Sequence, residues 1–444
     1  MKLRLTAALL GTLVLFSASG CNFMEFSLED ALRPPKTMGD EAEIEQLISD
    51  SAKGGYTLKY PKNGNYRSAI IMRDLDGDKS DEAIAFFHGK DETARIHMLV
   101  MNETDGTWQI AGDYVTETTD VDCVDFANIT DSPELEILVG YTTYTPNVNF
   151  LSCYTYSGGT TSTIQAGQSY SAFYCGSLDS TGRDGVITLN LFNADNEAKA
   201  TLLEYDPEKR TLFAKASVSM DPNVVKYRHV TFGELENNVK SIVVDGAYAS
   251  DELVTQVIYF NKELAVLRNP LYREKYNNPT LRKVSVYSED ADNDRIIDIP
   301  TVEKLPYPGV ESAGAGTVTD RVTRNTFNPA GETLNRKNDY AINFDYSFLV
   351  KIPAAWQRGS YTVTLDNASM KFYAWQDKKL GGELFEIRSF DAAAWDQGKD
   401  NDGYTVIYRD NRYAYAFRNE TVPESPFYLT DNEIKTAFSV LNPS

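Results

Sequence analysis

The chain has 444 residues, with 43 basic against 64 acidic side chains, a formal net charge of −21, a hydrophobic fraction of 42% and four cysteines. The hydrophobic content is enough for folded cores and the length allows two or three domains, which excludes a disordered acidic tail. The negative charge argues against nucleic acid and anionic lipid as partners, and four cysteines without a CxxC pair or Cys/His cluster offer neither a disulfide scaffold nor a zinc site.

Residues 1–20 read as a secretory signal: Lys2 and Arg4, an apolar run from Leu5 to Phe16, then small residues from Ser17 to Gly20. The apolar run is too short to span a bilayer, which takes ~20 residues. The triplet Ala18-Ser19-Gly20 directly before Cys21 resembles a bacterial lipobox, with Ala18 where leucine is usual. That resemblance implies lipidation of Cys21 and an extracytoplasmic protein anchored to the outer face of the bacterial cell membrane. An ordinary signal with a coincidental cysteine is the alternative. Residues 21–38 form a lipid-anchored stalk, stiffened by Arg33-Pro34-Pro35. Gly39-Asp40 can cap a short helix over Glu41 to Lys53, with Ile44, Leu47 and Ile48 as its packing stripe.

A unit of apolar strand, acidic or polar loop and second apolar strand then recurs. The copies are Ser68 to Phe87, Cys123 to Tyr141, Tyr174 to Leu191, Val230 to Ala247 and Val284 to Pro300. The first residues after the loops, Ala83, Ile137, Val186, Val243 and Ile299, are spaced by 54, 49, 57 and 56 positions. Such periods fit propeller blades better than a helical solenoid. The first three periods each add a hairpin, turning at Asp105-Gly106, Gly158-Gly159 and Asp206-Pro207. The expected fold is therefore mainly β: a β-propeller-like repeat domain over 39–305 of about five four-stranded blades, the outer strands of the fifth having no assigned place in the sequence.

The first loop carries Asp74, Asp76 and Asp78 at alternate positions, the Ser80 carbonyl at position seven and Glu82 at position nine. The fifth repeats this with Asp290, Asp292, Asp294, the Ile296 carbonyl and Asp298. Several flexible oxygen ligands suit Ca2+ better than Mg2+, and such an ion would stiffen the loop. Carboxylates that merely solvate a turn are the other reading. That reading holds for the three middle loops, with Asn128, Thr130, Ser132 and Glu136, with Ser177, Asp179 and Thr181, and with Glu234, Glu236 and Asn238.

The segments DLDGDKSDEAIAFF and DADNDRIIDIP resemble the calcium-loop repeats of integrin-type FG-GAP and VCBS β-propellers, with Lys79 and Arg295 where glycine is usual. Together with the lipobox and stalk, residues 1 to 305 resemble propeller lipoproteins of clostridial-type Gram-positive bacteria. The resemblance implies a calcium-stabilised extracellular interaction surface and brings no established activity.

Residues 306–335, containing Pro308, Gly309, Gly314 and Gly316, read as a linker. Residues 336–444 read as a small α/β C-terminal domain, with strands at Tyr340 to Ile352, Ser360 to Asp366, Ser369 to Trp375, Glu383 to Ile387, Tyr404 to Tyr408 and Tyr413 to Arg418, and a closing helix after Asp431. Part of its first strand could instead complete the fifth blade. Trp356, Trp375 and Trp395 offer either core packing or an aromatic platform for sugar rings.

His88, His97 and His229 are scattered, and no GxSxG, HExxH, P-loop or dinucleotide motif occurs. Cys123, Cys153 and Cys175 leave at most one bridge, of undetermined pairing. The expected function is a lipid-anchored binding protein for an extracellular protein or glycan. The alternatives are a polysaccharide-acting enzyme, a glycoside hydrolase or lyase using acidic residues of the propeller, and a purely structural envelope component.

Overall fold

Helix α1 (Met38–Ser51) turns Ile44 and Ile48 inward, as their spacing predicts, although it begins at Met38 and not at Glu41. The computed structural model describes residues 38–130, 132–178, 182–194, 196–306, 317–399 and 401–441. The signal, Cys21 and nearly all of the stalk lie outside these residues. The chain forms two compact units. One comprises the chain up to Asp125 with Val139–Thr142 and Tyr156–Ser162; the other comprises Phe126–Leu138, Thr143–Thr155 and Thr163–Ser444.

In the first unit, β1 (Tyr56–Lys59) and β2 (Ile70–Arg73) share one edge of β3 (Glu82–Gly89), β1 along Phe86 to Gly89 and β2 along Glu82 to Ala85. β3 is buried on both faces from Glu82 to Phe87, as a central strand of apolar residues should be. β4 (Ile96–Thr104) and β5 (Thr107–Thr116) complete the antiparallel sheet. Their turn is Asp105-Gly106, both left-handed at φ 52° and 77°, the geometry that matches strand twist in a two-residue hairpin. Ile44 and Ile48 pack with Ala83, Ala85, Phe87, Leu99, Met101 and Trp108 as the core of this sheet.

Eight strands follow: β6 (Val121–Ala127), β7 (Glu136–Thr142), β8 (Asn149–Ser157), β9 (Thr160–Tyr170), β10 (Ala172–Gly176), β11 (Gly185–Asn190), β12 (Lys199–Asp206) and β13 (Thr211–Ser219). Their sheet order is β10-β11-β12-β13-β9-β8-β7-β6. β10 to β13 form an antiparallel meander, joined to β9 by a single parallel bridge, Thr211 to Gln165. The sheet is therefore two runs of four strands. β14 (Val224–Leu235), β15 (Val239–Tyr248), β16 (Leu253–Asn261) and β17 (Val266–Arg268) form a four-stranded antiparallel sheet.

The next strands are β18 (Ile299–Lys304), β19 (Thr317–Val318), β20 (Asp320–Asn328), β21 (Thr333–Asn343) and β22 (Phe348–Lys351), then β23 (Tyr361–Asp366), β24 (Ser369–Gln376) and β25 (Lys379–Asp391). After the short α2 (Ala392–Asp396) come β26 (Thr405–Arg409), β27 (Tyr413–Asn419), α3 (Asp431–Ala437) and β28 (Phe438–Val440). They build two sheets, β18-β20-β21-β22-β28 and β19-β23-β24-β25-β27-β26.

The protein is thus mainly β, in successive sheets that are largely antiparallel, with a parallel bridge between β13 and β9. The five repeat anchors, Ala83, Ile137, Val186, Val243 and Ile299, lie on β3, β7, β11, β15 and β18, and all are 0% exposed. Other expectations differ from the structure. The span 306–335 holds β20 and the start of β21, which with β22 supply the outer strands missing from the fifth repeat. The C-terminal region contributes strands to two β-sheets and carries helices of five and seven residues, without α/β layering among the described residues. Phe438, expected on the closing helix, begins β28, which pairs with β22 after a capping box of Thr430 and Glu433 starts α3. Val284 to Tyr287 is no strand, because side-chain bonds and isolated bridges occupy the backbone groups around it.

Candidate metal centres

The two loops expected to take calcium share left-handed turns and several N–H bonds at matching positions. Positions four and six are left-handed in both: Gly77 and Lys79 at φ 80° and 78°, Asn293 and Arg295 at 60° and 74°. The N–H groups of Lys79 and Arg295 donate to the first carboxylates, Asp74 Oδ2 at 3.0 Å and Asp290 Oδ2 at 2.8 Å. Ser80 and Ile296, the expected carbonyl ligands, donate their N–H groups to Asp78 Oδ1 at 2.7 Å and Asp294 Oδ1 at 2.9 Å. These bonds turn the carboxylates inward. One oxygen each from Asp74, Asp76 and Asp78 lie within 4.8 Å of one another, and the same holds for Asp290, Asp292 and Asp294.

The ninth residues, Glu82 at the start of β3 and Asp298 directly before β18, are 3% and 1% exposed. Each accepts an N–H from the second position of its loop: Leu75 to Glu82 Oε2 at 2.8 Å and Ala291 to Asp298 Oδ2 at 3.3 Å. Burial, reinforced by Asp76 and Asp78, pushes Glu82 up to about 7, and burial with Asp78 and Asp74 also raises Asp76. The other Glu82 oxygen accepts from the Tyr156 hydroxyl at 3.3 Å. Among the described residues no lysine or arginine forms an ion pair with Asp74, Asp76, Asp78 or Glu82.

The fifth loop differs in some internal bonds, with the Asp294 N–H and not the position-four N–H donating to Oδ1 of the first carboxylate, and above all in its cation. Lys337 Nζ lies 2.8 Å from Asp292 Oδ1, 2.8 Å from Asp294 Oδ2 and 3.3 Å from Asp298 Oδ1. The second loop shows a third solution. Glu136, also at position nine and 1% exposed, accepts the Thr130 hydroxyl at 2.8 Å and the Ile129 and Thr130 N–H groups at 2.7 and 3.1 Å. Hydroxyl and amide donors hold that carboxylate. The fourth loop is a tight turn, Glu236–Asn238, between β14 and β15. Asp179 and Thr181 of the third, like Cys21, lie outside the described residues.

Left-handed backbone at a side-chain-bearing residue costs about 1–2 kcal/mol, and glycine costs about 0.5–1 kcal/mol in chain entropy. Lys79→Gly is therefore expected to raise the urea midpoint, by up to about 1 kcal/mol of stability. The Lys79 side chain is exposed and forms no ion pair among the described residues, so its removal costs nothing else.

The remaining candidates do not converge. His97 bridges Glu92 and Asp113 at 3.2 and 3.0 Å and stacks on Phe87, His88 bonds the Gly89 carbonyl, and His229 lies against Tyr287. Cys123, Cys153 and Cys175 are unbridged, and burial raises the Cys153 thiol. Trp356 is buried in a core, whereas Trp375 and Trp395 are half-buried. A cleft of about 360 Å³ is lined by Val218, Arg268, Asn269, Tyr272, Arg273 and Glu332 among others. Its one carboxylate, Glu332, pairs with Arg268 through one oxygen and with Arg273 at 3.3 Å through the other.

No family model and no curated protein matches the chain. Similar solved structures include a protein from Lactobacillus plantarum, 9% identical, over 74% of this chain and 94% of that one, with a TM-score of 0.29. An exotype rhamnogalacturonan lyase, YesX, is 8% identical over 82% and 90% of the two chains, also with a TM-score of 0.29. Likenesses at this level carry no inference about this chain's activity.

Proposed function

We propose that this chain is an extracytoplasmic interaction protein, lipid-anchored through Cys21, whose β-propeller-like repeats are stabilised by calcium and bind an extracellular protein or glycan. The first loop carries this reading: three convergent carboxylates and a buried fourth, Glu82, with no basic side chain paired to them among the described residues. Four adjacent carboxylates repel one another, and a divalent cation in their midst would remove that cost. Sites of this kind in extracellular modules fill at about 10⁻⁴–10⁻³ M calcium, which agrees with the secretory signal. The succession of four-stranded antiparallel runs supports a propeller, whose blades present loops as a binding surface.

The rival reading, a polysaccharide-acting enzyme, needs two working carboxylates about 5–10 Å apart. The cleft offers only Glu332, already held by two arginines. Turnover of an envelope polysaccharide by the purified protein would overturn the binding reading.

The calcium claim is tested by thermal melting in EGTA and in calcium. Calcium at about 100 times its dissociation constant should add about 2.7 kcal/mol to the unit that binds it. The midpoint should rise accordingly, and Asp76→Ala should abolish the rise. A wild-type midpoint identical in EGTA and calcium would remove the ion from the account.

A further inference from the structure

We propose that Lys337 is a tethered cation: its ammonium fills the fifth loop where a divalent ion would otherwise sit, leaving, among the described acidic loops, one divalent site at most, in the first loop. The backbone of the fifth loop matches the first at both left-handed positions and at the N–H bonds to the first, fifth and ninth residues. Its acidity is no weaker, with four carboxylates in each set. What separates their charge balance is one side chain, 39 residues beyond Asp298 in the chain.

Lys337 reaches the loop because of the sheet. β20 and β21 pair Arg324 with Asn338 and Asn325 with Arg336, so Lys337 is the extra residue of a β-bulge. A bulge re-aims the side chain it carries. The ammonium has three N–H donors and meets three carboxylates, Asp292, Asp294 and Asp298. Asp298 gives the arrangement its necessity. Its Oδ1 is buried and accepts no hydrogen bond, so its charge is answered by Lys337 at 3.3 Å. Being part of the chain, this cation is present at a high effective concentration and cannot be chelated. The chain thus satisfies one buried loop carboxylate with a hydroxyl, at Glu136, and another with an amine, at Asp298.

The consequence is that the fifth loop is indifferent to calcium until the amine is removed. The inference rests on the calcium reading only for the first loop, and the experiment separates the two. Calcium binding to the full chain is counted by equilibrium dialysis with radioactive calcium as the probe. Wild type should bind one equivalent, Lys337→Met two, Asp76→Ala none and Asp76→Ala/Lys337→Met one. Lys337→Gln serves as a second variant, and circular dichroism in calcium confirms that each is folded. Lys337→Met should also melt lower than wild type in EGTA and recover in calcium. Two equivalents in wild type, or no gained equivalent in either folded lysine variant, would overturn the tethered cation. If instead the first loop binds nothing, wild type gives zero and Lys337→Met one; the tethered cation then stands and the first-loop reading falls.

Discussion

Asp245→Ala is expected to destabilise the second unit by about 3–5 kcal/mol, the range for removing one partner of a buried ion pair. Asp245 and Arg282 are both 0% exposed at the side chain and lie 2.9 Å apart. Asp245 Oδ2 accepts the Ser288 N–H at 2.6 Å, and Oδ1 accepts the hydroxyls of Thr255 and Ser288 at 2.5 and 3.0 Å. Arg282 spends its other donors on the Val286 carbonyl, the Thr255 hydroxyl and the Thr280 carbonyl. This network ties the irregular segment from Thr280 to Ser288 to β15 and β16, where a strand would otherwise be needed. Alanine leaves the guanidinium buried without its counter-charge, which costs far more than the pair itself contributes. For that reason Asp245→Ala/Arg282→Met should be much less harmful than the sum of its single changes, as a double-mutant cycle in urea will read. A loss below about 1 kcal/mol for Asp245→Ala would mean that solvent reaches the site.

The same network shows where sequence reasoning stops. Residues with local partners are legible: the alternate aspartates of the first and fifth loops, the Asp-Gly turn and the stripe of α1 depend on neighbours a few positions away. The repeat anchors are legible because each is an apolar residue at the start of a buried strand run. Lys337, Tyr156 and Arg282 are not, since their partners lie 39 to 45, 74 and 37 positions distant. Strand β20 escapes for a different reason. It reads Asp-Arg-Val-Thr-Arg-Asn-Thr-Phe-Asn, yet Arg321, Thr323, Arg324 and Asn325 are all buried. Arg321 pairs with Glu303, Arg324 with Glu289, and Thr323 bonds Asp339. Polar residues compensated pairwise can occupy a sheet interior, and a hydrophobic pattern cannot reveal them. Glycine and proline just upstream then make the stretch look like a linker.

Trp356→Ala is expected to cost about 3–5 kcal/mol, the usual range for emptying a large aromatic site in a core. The indole is 4% exposed. Its ring lies 5.5 Å from Tyr361, 6.4 Å from Phe372, 6.2 Å from Phe385 and 5.4 Å from Phe427, each centroid to centroid. Phe372 and Phe385 are themselves stacked at 4.1 Å, so the cavity would open on a rigid pair that relaxes poorly, and the loss should fall towards the upper end of the range. A ring so enclosed has no face to offer a sugar, which assigns Trp356 to packing and leaves the half-buried Trp375 and Trp395 as the tryptophans open to a platform role among the described residues of this region. Trp356→Phe keeps an aromatic body and should recover part of the loss. Urea titration followed by circular dichroism measures both variants without depending on the deleted fluorophore. A shift below about 1 kcal/mol for alanine would show that the site collapses, and would reopen the question of what the tryptophan is for.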